Sequence, residues 1–136
     1  MTEQKCVFSF EQETNVLVVT PNGTFTEYRD NDIRNAYNDT YRMLDNPEVN
    51  HLLFDFSNLT FFGSTLVGIL IQLAKKVRLG GGEAVLCNLS DDMQSVMKSL
   101  MLLENTRTNF FWTCYPTRPQ ALAELAKATD NNASNN

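Results

Sequence analysis

Apolar and polar residues alternate across Cys6 to Gln12, with Val7, Phe8 and Phe10 apolar, and a β-branched run fills Val16 to Thr20. Glu13-Thr-Asn15 between them has turn composition, which predicts an N-terminal hairpin closed off by Pro21-Asn-Gly23. The period then changes. Ile33, Ala36, Tyr37, Tyr41 and Leu44 recur at helical spacing between Asp30 and Leu44, and Asp45-Asn-Pro47 stops the helix. His51 to Phe56 carries Leu52, Leu53 and Phe54 in succession, a run suited to a parallel strand covered on both faces. A helix is predicted from Ser64 to about Leu79, ended by Gly80-Gly-Gly82. Glu83 to Leu89 reads as a strand. Ser90 then caps a helix with Asp91 and Asp92 in its first turn and Met93, Val96, Met97 and Leu100 as its inner stripe. A last strand, Phe110 to Tyr115, and an amphipathic helix, Pro119 to Ala128, complete the order ββαβαβαβα. That order predicts a single α/β domain over residues 1–128, with a mixed, mostly parallel sheet and an antiparallel N-terminal edge. The polar stretch 129–136 is expected to be a disordered tail.

The 136 residues suffice for one core without disulfide staples. The longest apolar-rich piece, Leu66 to Ala74, is too short to cross a bilayer and runs into Lys75 and Lys76. The N-terminal residues lack a signal-peptide block, so a cytoplasmic protein without a membrane segment is expected. A net charge of -5 with no basic stripe argues against nucleic acid. Cys6, Cys87 and Cys114 are widely spaced without a CxxC, and Cys87 and Cys114, in apolar strand-like runs, read as small core residues rather than metal ligands or nucleophiles.

Catalytic signals are sparse. His51, the one histidine, sits at the head of a strand, and no Ser/His/Asp or Cys/His arrangement can be drawn around it. Gly80-Gly-Gly82 follows a helix and precedes a strand, the reverse of a phosphate cradle. Asp55 ends a strand where open α/β sheets carry functional groups, and equally where a structural acceptor would stand. Neither a cofactor, a metal nor an enzymatic activity is expected.

The helix opened by Ser64 carries more information. A hydroxyl there meets unsatisfied N–H groups and the positive end of the helix dipole, which favours an added phosphate; simple capping is the plainer alternative. At 100° per residue, Leu66, Ile69, Leu70, Leu73 and Val77 gather on one face, the expected core face. Ser64, Val67, Gly68, Ile71 and Lys75 fall roughly opposite, leaving Val67 and Ile71 apolar where solvent is expected. A grouped apolar surface of that kind marks an interaction site, unless another segment or a second copy of the chain covers it.

Several of these stretches resemble STAS domains, the module of bacterial anti-sigma factor antagonists and sulfate transporters. The resemblance spans nearly the whole chain. It rests on Asn22-Gly23, Leu52-Leu-Phe-Asp-Phe-Ser-Asn-Leu59, Gly63-Ser-Thr-Leu-Val-Gly68, and Gly80-Gly-Gly82 before the strand ending Cys87-Asn-Leu-Ser90. The family motif reads Asp-Ser-Ser/Thr-Gly-Leu-Gly, and its first serine, the regulatory phosphoacceptor, corresponds to Ser64. Gly63 stands for the motif's aspartate, Leu66 for its first glycine, and Thr26 where another aspartate is frequent.

The resemblance implies a non-enzymatic partner-switching regulator. It would dock on an anti-sigma factor of the serine-kinase type, with a phosphatase resetting a phosphate at Ser64 (Thr65 as second choice). The partner-binding residues it implies are Thr26, Gly63, Ser64, Thr65, Val67, Gly68 and Ile71. Two alternatives stay open: a scaffold module that binds a partner or itself as a homodimer with Ser64 only a cap, and a small-ligand carrier or enzyme.

Overall fold

The computed structural model describes residues 7–24, 28–61, 64–99 and 112–134. Strand β1 (Phe8–Glu13) turns through Thr14, at φ 52°, into the antiparallel β2 (Val16–Pro21), pairing Phe8 with Pro21 and Glu13 with Val16. Helix α1 (Asp30–Met43) begins where Asp32 Oδ2 accepts the Arg29 amide at 3.3 Å, and inside it Thr40 returns its hydroxyl to the Ala36 carbonyl. The chain then enters β4 (His51–Asp55), whose five residues are all buried. Leu52 and Phe54 project into one core and Leu53 into the other, as the two-faced apolar run requires. Each such side chain contributes roughly 1.5–3 kcal/mol by leaving water.

Helix α2 (Ser64–Leu79) returns over the sheet to β6 (Ala84–Cys87), α3 (Asp91–Ser99) and β7 (Thr113–Tyr115), and α4 (Arg118–Ser134) closes the chain. The five-stranded sheet runs β1-β2-β4-β6-β7, parallel except for β1 at its edge. Residues from α1, α2 and α3 fill the larger core on one face, among them Ala36, Leu70 and Met97. Among the described residues, the other face is covered by α4, through Ala121 and Leu125 against Val16, Val18, Leu53, Val85 and Cys87. The expected α/β order and the antiparallel N-terminal edge are both present.

The helix stop at the three glycines has a specific geometry. Gly82 donates to the Val77 carbonyl at 3.0 Å and Gly81, at φ 90°, donates to Arg78 at 3.1 Å, the paired bonds of a Schellman motif. A Cβ on Gly82 would lie 1.7 Å from the Asn50 carbonyl oxygen, so no other residue fits. At α3, Ser90 Oγ accepts the Met93 amide at 3.2 Å, the expected cap.

Three details differ from expectation. Two short strands, β3 (Gly23–Thr24) and β5 (Leu59–Phe61), pair in parallel as a separate small sheet; pieces this short carry no periodicity to read. Val96, assigned to the inner stripe of α3, is 43% exposed, because among the described residues of α3 it is Met93 and Met97 that face the core. The last helix starts one residue early and its backbone continues through Ser134, taking in most of the segment expected as a tail. Cys6, Leu100 and the start of the last predicted strand lie outside the described residues. Among the described residues, no helix is long and apolar enough to cross a membrane.

Candidate functional site

Ser64 is the first residue of α2 and Thr65 the second, as the sequence predicted; their side chains, with Thr26 and Gly63, lie outside the described residues. The phase of the helix is a correction. Val67, expected outward, is 7% exposed and packs in the core beside Leu66, Leu70, Leu73, Ala74 and Val77. The buried arc is rotated by roughly 40° from the expected one. Ile69, expected on the core face, lies farther from the centre of the observed arc and is partly buried. The physical reason is that α2 packs against both the sheet and α1, and its sequence offers apolar residues nearly all round, so packing selects the face. Ile71 is half-buried and Gly68 is exposed.

Gly68 and Ile69 form one wall of a groove of about 490 Å³ between α1 and α2. Ile33 and Tyr37 form the other, and Asp30, Arg34 and Gln72 supply the polar rim. A Cβ on Gly68 would meet nothing within 4 Å, so this glycine is not needed for close packing; its missing side chain keeps the groove open. Towards the C-terminal ends of the two helices the spacing is fixed by Lys76. Its Nζ lies 2.6 Å from Asp45 Oδ1 and 4.0 Å above the Tyr41 ring. The Asp45 hydrogen bond is the main reason its pKa is raised.

On the other side of the sheet, Asp55 is 3% exposed at the C-terminal end of β4. Its Oδ1 accepts the Ser57 amide and Asn88 Nδ2, both at 2.9 Å, and its Oδ2 accepts Arg118 Nε at 2.9 Å. Arg118 also donates to the Glu11 carboxylate and, at 3.5 Å, to Thr20 Oγ1. Burial alone would push the Asp55 pKa up; the bonds from Asn88, Ser57 and Arg118 outweigh it, and the net shift is down. Asp55 is thus a carboxylate held charged by its three donors at neutral pH, the structural one of its two readings. Arg118 went unnoticed in the sequence, where nothing ties it to residues 63 and 107 positions away.

His51 is buried and its Nδ1 accepts the Glu83 amide at 3.0 Å, which holds the ring neutral; burial lowers its pKa, with Glu83 opposing. It ties β4 to the loop before β6. Burial pushes the Cys87 thiol up to about 12, and the Asp55 charge adds to this, so it is a protonated core group.

A family model for the STAS domain matches residues 8–121. No curated protein matches. Among solved structures, the anti-sigma factor antagonist SpoIIAA in its unphosphorylated form superposes with a TM-score of 0.71 at 16% identity, covering 88% of this chain and 96% of that one. An anti-sigma-factor antagonist (STAS) domain protein from Planctomyces limnophilus gives 0.70 at 20%, covering 88% and 97%. A variant of RsbS from Moorella thermoacetica gives 0.72 at 15%, covering 90% and 97%. At these identities the likeness is one of fold.

Proposed function

This chain belongs to the STAS domain family, and on that premise we propose that it is a cytoplasmic, non-enzymatic partner-switching regulator. It binds an anti-sigma factor of the serine-kinase type, and phosphate at Ser64 controls the contact. The observation that carries the reading is the start of α2 at Ser64, one turn before the exposed Gly68 and its apolar groove. An apolar segment of the partner seated against Ile33, Tyr37 and Ile69 would gain area removed from water. Of the outward apolar pair first expected to do this, Val67 is in the core, so the groove takes over its part while Ile71 stays at the margin. Phosphorylation adds about -1.5 to -2 charges at the head of this surface. The helix dipole steadies that charge, while a partner surface desolvated against it is repelled. A phosphatase restores docking.

Incubation with the anti-sigma kinase of the same organism and ATP, followed by mass spectrometry, tests the switch. Phosphate at Ser64, with Ser64→Ala docking but never released, is the expected result. Gly68→Gln, which fills the groove, is expected to weaken docking about tenfold with a melting temperature no lower than that of wild type.

A second reading is favoured by Gly63, which stands where the family motif has its aspartate. Here the domain is a scaffold that binds a partner, or itself, without phosphorylation. Ser64→Ala indistinguishable from wild type in both binding and release, with no phosphate found at residue 64, would select it.

A further inference from the structure

The buried carboxylate at the end of β4 gathers groups from five separate parts of the chain. Arg118 is the first residue of α4, Glu11 belongs to β1, and Thr20 is near the end of β2. Asn88, in the left-handed region at φ 60°, follows β6, and Ser57 lies in the turn after β4. That turn leads onward. The Asn58 carbonyl accepts the Gly23 amide at 3.0 Å, and its side chain donates to Asn22 Oδ1 at 3.2 Å. Asn22 in turn donates to Ser9 Oγ at 2.9 Å. Hydrogen bonds therefore run from the head of α4 through Asp55 to Ser57, and from the next residue of the same turn, Asn58, to the small β3–β5 sheet.

We propose that Arg118 is a positioning residue for the Ser57–Asn58 turn, from which the chain runs through β5 towards Ser64, and that it acts through Asp55. Only its functional end rests on the reading of Ser64 above. The physical case is one of direction. Apolar contacts at Ala121 and Leu125 hold α4 on the sheet without regard to the rotation of the Asp55 carboxylate. A guanidinium Nε–H on Oδ2 fixes the plane of that carboxylate, and so aims Oδ1 at the Ser57 amide. A charge this buried is tolerated only while its donors are in place. Without Arg118 the carboxylate must take a proton or admit water, and either change loosens the hold on Ser57. Docking of α4 on one face of the sheet thereby sets the turn from which the chain leaves β4.

Amide hydrogen exchange by NMR on the full chain tests this, comparing Arg118→Leu and Arg118→Lys with Leu125→Ala, which loosens α4 through lost packing instead. In Arg118→Leu the amides of Ser57, Leu59 and Gly23 are expected to exchange about tenfold faster than in Leu125→Ala, after both are normalised to Val19 and Leu53. Arg118→Lys should recover part of the difference, and the Asp55 carboxyl should titrate closer to its ordinary 3.8 in Arg118→Leu. Matching exchange profiles in Arg118→Leu and Leu125→Ala, or acceleration confined to α4, would overturn the proposal. The measurement uses neither kinase nor partner, so its failure is distinct from failure of the phosphorylation switch.

Discussion

The two faces of the sheet are held in different ways. Under α1, α2 and α3 the contact is hydrocarbon, with Leu66, Leu70 and Leu73 fully buried over Phe54 and Leu86. Under α4 the apolar contact is thin, and its leading end is held by the Arg118 fork on Asp55 and Glu11. Area fixes where a helix lies but is indifferent to small slides, whereas a charged fork fixes a direction and fails once its geometry is lost. The thick face therefore supplies stability, and the thin face supplies registration.

Truncations on the two faces give the sharpest contrast. Leu70→Ala leaves a cavity that the surrounding helices cannot close, and about 3–5 kcal/mol is the expected loss in urea unfolding. Leu125→Ala should lose nearer 2 kcal/mol, because α4 can settle into the gap. Equal losses would dissolve the distinction.

Next in size is Asp55→Ala. It strands the Arg118 and Asn88 donors together, for an expected cost of about 2–3 kcal/mol in the same assay. A neutral outcome would mean that the fork adds nothing to holding α4.

Acid should expose both ends of β4 in turn. The folded pKa of His51 is below its ordinary 6.5, so the unfolded chain binds that proton first and stability falls as pH drops through about 6.5. The folded pKa of Asp55 is also lowered, so its contribution, present above 3.8, is lost as pH falls further through the folded value. Melting temperature against pH should show two descending steps, and His51→Gln should remove the upper one.

Smallest is Gly68→Ala. With open space at its Cβ, it should stabilise α2 by about 0.5–1 kcal/mol in thermal unfolding. A loss would mean that the groove is tighter than its geometry indicates.

How much of this was legible in the sequence depended on how local each signal is. The buried strand His51 to Asp55, the glycine stop after Leu79 and the Ser90 cap are written in consecutive residues and were all readable. The phase of α2 was not. A helix carrying Val67, Ile69 and Ile71 beside its leucines has no clear polar stripe to set the angle, and contact with α1 decided it. The outward placement expected for Val67 depended on that phase, and Val67 lies in the core instead. The Asp55 cluster was out of reach for another reason: its members are scattered from Glu11 to Arg118, and only the fold brings them together.

Gly82 has one more consequence. Its backbone touches the Asn50 carbonyl with no room for a side chain, so the trailing end of α2 is pinned as firmly as a rod set in a socket. The rod is 16 residues long, roughly 24 Å at 1.5 Å per residue. Inserting a single residue anywhere along it would swing Ser64 by about 100° around the axis. The length of this helix is a ruler, and evolution is free to change its letters far more readily than its count.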